Sequence, residues 1–315
     1  MSGRAGTIGV DVGGRSVRFA RVSNAGEMLH HEQAPISADI HPDTLTELVG
    51  KHVDPLMKES DGRAVGIVMP GYMDAGRSKL LYAANLPRLG GTNLLDRLSQ
   101  RIGRPVVFDA DCNAAAWAEH RFGAGKNAER LIVATVGTGI GAGVIIDGNL
   151  VRTFGHIAGS LGHVIVDATG PRCACGAHGC VEALAAGPAI ERAANDQANA
   201  HPDSALARLR TQRHQLTGVE ISEALQANDQ AAAEAVGQAG WWLGAGIASW
   251  AALFHPDRIV IGGGFAALGE PWFCAIRKGV ADVGQPELIR DLDIRPATLG
   301  SHAGVIGAAA LAMQG

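Results

Sequence analysis

The sequence lacks any apolar run long enough to cross a bilayer, because glycine or charge interrupts each stretch within about a dozen residues. It has no basic excess. With 27 Lys and Arg against 31 Asp and Glu, the formal net charge is −4, which excludes a broad cationic surface for nucleic acid. A strand-like run, Thr7-Ile8-Gly9-Val10, begins almost at once, leaving no room for a signal peptide, so a cytoplasmic location is expected. Short tandem repeats are absent as well. The five cysteines do not form a disulfide framework of the secreted kind; three of them crowd between Cys173 and Cys180, which points to a metal instead.

What is present is glycine, 43 residues in a chain of 315, gathered in short clusters that follow apolar β-like runs. Such clusters mark tight turns where backbone approaches a ligand. The length and the 47% hydrophobic content suffice for two packed domains. Alternation predicts strands over Thr7–Val12, Val17–Ser23 and Gly26–Ala34. Thr44-x-x-Glu47 reads as a capping box opening a helix that Pro55 kinks or ends. Ala64–Met69 and Pro105–Phe108 read as buried strands, and a helix is expected from Asn113 to Phe122. Gly123-Ala124-Gly125 reads as a boundary. Beyond it come strands at Leu131–Thr135 and Gly143–Ile146, an alanine-rich helical region over Ala185–Gln238, and a long helix from Trp241 to Phe254. Strand Arg258–Ile261 and a last helix from Ala303 complete an α/β or α+β chain of two lobes.

Several segments carry candidate chemistry. Asp11-Val12-Gly13-Gly14 sits between two strands, where a side-chain-free turn admits a phosphate chain and a carboxylate orders the hydrated magnesium that accompanies ATP. By itself it reads first as an ordinary hairpin turn with a solvated Asp. Gly137-Thr138-Gly139-Ile140-Gly141 offers backbone N–H groups and a hydroxyl to a terminal phosphate, or is a tight turn without a ligand. It is not a Walker A loop, since no Gly-Lys-Ser/Thr follows, nor a Rossmann start, since a strand follows. Gly262-Gly263-Gly264 closes a strand where α/β proteins place ligands, and suits an adenosine. In Asp109-Ala110-Asp111, one carboxylate can accept a proton from an alcohol during phosphoryl transfer, or both can cap the following helix. Asp109 reads as a cap or surface residue; Asp111 remains open between the two roles.

His163, Cys173, Cys175 and Cys180 are the most specific signal. One imidazole and three thiolates form the soft donor set of a closed tetrahedral Zn2+ site, with Gly176 and Gly179 letting the chain double back. With no open coordination position, the zinc would order a loop and not activate water.

Taken together and in order, these segments resemble the ROK (repressor–ORF–kinase) family of sugar kinases and sugar-responsive repressors. Asp11–Gly14 is similar to the first phosphate motif, Gly66–Gly71 to the Gly-x-x-x-Pro-Gly turn beside the sugar, and Asn85-Leu86-Pro87 to Asn-Leu-Pro. Asp109–Ala116 resembles Glu-Asn-Asp-Ala-Asn-Ala-Ala-Ala, and Gly159–His163 resembles Gly-Glu-Ile-Gly-His. The run from Cys173 to Glu182 resembles the family's cysteine motif. The resemblance implies a two-lobed hexokinase–actin-like (ribonuclease H-like) α/β fold with a structural zinc loop in the larger lobe. It places residues 1–122 and the helix 303–315 in the small lobe and residues 123–302 in the large one. It implies an ATP- and magnesium-dependent kinase for a hexose or hexose-like substrate bound in the cleft, and a homodimer. Asp111 falls on the catalytic base. Gly71, Asn85, Ala110, Ser160, His163 and Glu182 fall on sugar-contacting positions, and Asp11, Gly13, Gly14, Arg15, Thr138, Gly139, Gly263 and Gly264 on nucleotide-contacting ones. Three departures stand out: Arg15 replaces the usual Thr, Ala110 the usual Asn, and Ser160 the usual Glu. They keep open a catalytically degenerate sugar sensor, although Asp11, placed near the start, leaves no space for an N-terminal helix-turn-helix.

Overall fold

The structure, a computed structural model, describes residues 6–83, 85–153 and 160–314. The chain divides into two compact units, one formed by residues 1–128, 143–159 and 298–315 and the other by 129–142 and 160–297. The first unit thus runs past the boundary expected at 122 and takes in a later stretch of chain.

The first unit opens with β1 (Thr7–Val12), β2 (Ser16–Val22) and β3 (Met28–Pro35), followed by helix α1 (Pro42–Glu59). Next come β4 (Val65–Met69), the short pair β5 (Tyr72–Met73) and β6 (Leu80–Tyr82), α2 (Leu94–Ile102), β7 (Val106–Ala110) and α3 (Asp111–Phe122). Its sheet has the order β3-β2-β1-β4-β7, antiparallel through β1 and parallel beyond it. The register sets Asp11 opposite Arg18 on β2 and Val68 opposite Asp109 on β7.

α1 departs from the sequence expectation at its start, and of the two outcomes expected at Pro55 it does not end there. It begins at Pro42, with His41 as N-cap accepting from the Asp43 N–H, so Thr44 and Glu47 lie inside the helix and form no capping box there. Proline suits the first helical position because its missing N–H has no partner to lose. The helix also runs through Pro55 to Glu59. Leu45, Val49, Val53 and Leu56 are buried on both sides of that proline. At about 1.5–3 kcal/mol each, their burial outweighs the roughly 3 kcal/mol that an interior proline costs.

The second unit contains β8 (Arg130–Val136) and the start of β9 (Ile140–Ile146), whose later residues, with β10 (Asn149–Leu150), belong to the first unit. Then follow α4 (Val181–Ala185), α5 (Gly187–Ala200), α6 (Ala205–Arg213), α7 (Gly218–Gln226) and α8 (Gln230–Phe254). β11 (Arg258–Gly262), α9 (Glu270–Val283), α10 (Pro286–Ile289) and β12 (Asp293–Pro296) complete it. The second sheet has the order β10-β9-β8-β11-β12, with β8, β11 and β12 parallel. The chain ends on α11 (Ala303–Ala312), back in the first unit.

α11 lies directly on the first sheet. A Cβ at Gly66 on β4 would collide with the backbone of Ala308, so the close approach depends on glycine there. The neighbouring Glu119 of α3 is fully buried and accepts from Ala124 N (2.7 Å), Thr298 N (3.0 Å) and Leu299 N (2.8 Å). That carboxylate fixes the chain both where α3 ends and where the C-terminal segment returns. Among the described residues, no helix is long and apolar enough to cross a membrane.

Candidate active site

In the first unit, the ends of β1 and β7 bring two carboxylates together. Asp11 is 7% exposed, and its Oδ2 accepts from Arg18 at 3.2 Å. Burial pushes its pKa up, and Arg18 opposes that shift. The start of α11 stands beside it, since a Cβ on Gly304 would lie 2.7 Å from the same oxygen. A helix N-terminus there favours the charged carboxylate. Asp111 opens α3, half-buried, with its Oδ1 accepting from Cys112 N at 2.8 Å. Burial and then the charge of Asp11 push its pKa up to about 6.

Asp109 is neither a surface residue nor the helix cap: the N-cap is Ala110, which makes no side-chain cap bond. Asp109 is fully buried. Its Oδ1 accepts from Asn113 Nδ2 (2.7 Å) and Ala110 N (2.8 Å), and its Oδ2 from Arg152 Nε (3.0 Å) and Nη2 (2.6 Å). A buried carboxylate needs such partners, and their number fixes the β7–α3 junction from which Asp111 projects. Ala110 is 1% exposed, and its methyl group can neither donate nor accept a hydrogen bond.

The turn between β1 and β2 is closed by Gly13 N bonding Ser16 O at 2.9 Å. Gly14 faces Asn85, because a Cβ there would lie 3.1 Å from the Asn85 Cβ. Arg15 is exposed, and the arginine that reaches Asp11 is Arg18. Gly71 has φ +123°, and a side chain on it would collide with the Tyr82 carbonyl.

In the second unit, His163, Cys173, Cys175 and Cys180 present ligand atoms that all lie within 4.8 Å of one another. Cys175 Sγ and Cys180 Sγ are 3.7 Å apart, and Cys173 Sγ is 3.6 Å from His163 Nδ1. Thiolates bound at about 2.3 Å on a tetrahedral metal stand roughly 3.8 Å apart, so this donor set fits zinc. Glu182 adjoins the cluster: its Oε1 is 3.7 Å from Cys173 Sγ and 3.8 Å from His163 Nδ1. Its Oε2 accepts from Ile140 N at 2.9 Å. The same oxygen would be 2.5 Å from a Cβ on Gly139. Glu182 therefore ties the cysteine loop to the Gly137–Gly141 turn. Thr138 is exposed on that turn, and Ser160 is half-buried just ahead of His163. Gly159, which opens the Gly159–His163 motif, lies outside the described residues.

A cavity of about 740 Å³ opens beside Gly264, walled by α5, the start of α7 and the turn Gly264–Leu268. Gly263 precedes it with φ +87°, where a side chain would collide with the Val136 carbonyl.

The ROK family model matches residues 7–315. The chain belongs to the ROK family. It is 34% identical to a glucokinase of Streptomyces coelicolor over 316 residues, 98% of each chain. Against an N-acetylmannosamine kinase of Salmonella paratyphi B it is 36% identical over 193 residues, 60% of this chain and 64% of that one. Its structure resembles that of a ROK family glucokinase from Streptomyces griseus in complex with glucose and AMPPNP, with a TM-score of 0.85 and 36% identity, covering 99% of this chain and 100% of that one.

Sequence reading of this ROK chain missed Arg18, Arg152 and the cavity. Arg18 had a usable signal, because a tight hairpin at Gly13-Gly14 sets it opposite Asp11. Arg152 had none, since its partner Asp109 is 43 positions away. The cavity draws on three separate segments of the second unit, and no local pattern announces it.

Proposed function

We propose that this ROK chain transfers the γ-phosphoryl group of ATP to a hydroxyl, the primary one, of a hexose or hexose-like substrate, with Asp111 as general base. The observation that carries the assignment is the Asp111 carboxyl itself, half-buried at a strand-to-helix junction and pushed up to about 6 beside Asp11. Asp111 accepts the sugar hydroxyl's proton as the oxygen forms its bond to the γ-phosphorus and the bond to the departing ADP oxygen breaks. Asp11 is the residue that would hold hydrated magnesium: one oxygen engages Arg18, and Oδ1 accepts no hydrogen bond among the described residues. The metal would neutralise charge on the β- and γ-phosphates. The turns at Gly13-Gly14 and Thr138-Gly139 would receive phosphates, with Arg15 free in solvent to reach one, and Gly263-Gly264 with the adjoining cavity would receive the nucleoside. His163, Glu182, Asn85 and the Gly71 turn would hold the sugar, while His163, Cys173, Cys175 and Cys180 would hold a structural zinc. The same reading takes the enzyme as a cytoplasmic homodimer, as the family likeness implies.

The test is a pH profile. A base works only when ionised, so kcat/KM should fall about tenfold per unit as pH drops below about 6, and stay level between 7 and 8. A profile flat down to pH 5 would remove Asp111 from the role.

Ala110 and Ser160 bear on the sugar. Each is shorter than the Asn and Glu that the family resemblance implies at its position, so two hydrogen bonds to sugar hydroxyls would be missing. Each such bond is worth about 1–3 kcal/mol where the partner is buried. Glucose should therefore be a poor substrate beside an epimer, an amino or N-acyl sugar, or a cyclitol. The double change Ala110→Asn with Ser160→Glu should raise kcat/KM for glucose. Steady-state kinetics on both proteins decide this, and a micromolar KM for glucose in the parent would count against it.

A further inference from the structure

The cavity beside Gly264 contains an apolar wall and, among its polar lining, one carboxylate without a partner among the described residues. The wall is Phe265, whose ring fills a slot where two glycines present no side chain: a Cβ would lie 2.6 Å from the ring at Gly187 and 3.3 Å at Gly218. A ring held that way offers a fixed apolar surface of the kind that a heterocyclic base covers.

The charged lining is acidic. Glu223 is engaged by Arg213 at 2.7 Å. Glu220, buried just behind the lining, is held by Arg213 at 3.2 Å and by Thr217 N at 2.8 Å. Glu191 differs: half-buried on α5, its carboxylate has no hydrogen-bond or ion-pair partner among the described residues. Among the described lining residues there is no Lys or Arg. The N-terminus of α7 also meets the cavity, but Thr217 and Glu220 already cap it reciprocally, so it offers little to an incoming anion.

An ionised carboxylate only accepts hydrogen bonds. A lone one beside an apolar wall recognises a neutral group with paired donors and repels a polyanion. The two hydroxyls of a ribose match the two oxygens of one carboxylate, while the base covers Phe265. We propose that Glu191 accepts hydrogen bonds from the ribose hydroxyls of the phosphoryl donor, restricting the donor to ribonucleoside triphosphates and excluding inorganic polyphosphate. The inference rests on the kinase reading above and adds to it the residue that selects the donor.

The experiment measures sugar phosphorylation by the full chain with ATP, 2′-deoxy-ATP, ITP and polyphosphate, for the parent and for Glu191→Gln. For the parent, KM should be about tenfold higher for 2′-deoxy-ATP than for ATP, with similar kcat. ITP should match ATP within a few-fold, and polyphosphate should give under about 1% of the ATP rate. Glu191→Gln should raise KM for ATP about tenfold, keep kcat at saturating ATP, and bring ATP and 2′-deoxy-ATP close together. Retained kcat shows that the variant folds. Equal KM for ATP and 2′-deoxy-ATP in the parent would overturn the proposal. So would discrimination that survives in the variant, discrimination against ITP alone, or polyphosphate matching ATP. No transfer from any donor to any sugar would overturn the kinase reading itself, and this inference with it.

Discussion

Asp111→Asn should lower kcat by about 10²–10⁴-fold and, at neutral pH, make the protein more stable. The loss follows from the role proposed for Asp111: an amide cannot accept the sugar's proton, while its shape and its bond from Cys112 N can be kept. KM for the sugar should hardly move. The gain in stability follows from the same environment. Burial and the neighbouring Asp11 hold the Asp111 pKa at about 6, against 3.8 for an unhindered aspartate. Folding therefore favours the neutral carboxyl, and the fold bears a cost whenever the group is ionised.

The sign fixes the pH window. Below pH 4 the carboxyl is protonated in both the folded and unfolded chains, and the cost vanishes. It grows as pH rises from about 4 to about 6 and is constant above. The shift corresponds to roughly 3 kcal/mol at most, and to about 1–2 kcal/mol once the partial exposure of the side chain is allowed for. Thermal melts of parent and Asp111→Asn should then differ by a few degrees at pH 7.5 and coincide near pH 4. A variant that is inactive but less stable at pH 7.5 would mean that Asp111 serves the fold and not the chemistry. A variant that keeps kcat/KM within a few-fold of the parent would remove it from catalysis altogether.

The parts of this site that sequence could reach were local ones. Asp11, Asp111 and the cysteine loop could be singled out as candidates because each lies within a few residues of a turn or a strand end. Element positions were legible where alternation was clean, as in β1, or where burial was continuous, as in β4. Most of what escaped depended on distance. Asp109 looked like a cap because its neighbours in sequence are those of a cap, whereas its partner Arg152 arrives from far along the chain. The start of α1 was misplaced because Pro42 and His41 compete with the more familiar Thr44–Glu47 pattern. α9 was not read at all. It packs against α8, where a side chain on Gly244 would collide with the Ile276 carbonyl, a close approach that no pattern within Glu270–Val283 reveals.

Loss of the cysteine cluster should be the second large effect. The segment from Val164 to Cys180 has almost no regular structure: two isolated bridges, Ile165 with Cys180 and Arg172 with His178, and a few backbone bonds such as Val166 N to Gly179 O at 2.9 Å. Such a loop has little apolar burial to hold it, so a bound zinc would supply most of its order. Freshly purified, untagged protein should contain about one zinc per chain. Cys175→Ser should lower both the metal content and Tm, leaving helix content by circular dichroism nearly unchanged. The damage should also reach the chemistry, because Glu182 touches Cys173 and His163 on one side and bonds Ile140 N on the other. A loosened loop frees Glu182, and the Gly137–Gly141 turn loses the acceptor that fixes Ile140. KM should rise for sugar and for ATP together in Cys175→Ser, and restored zinc should not rescue it fully. His163→Ala should instead raise KM for sugar more than its loss of stability predicts. Parent protein that is free of zinc yet as stable and active after added zinc as before would end the argument for a structural metal.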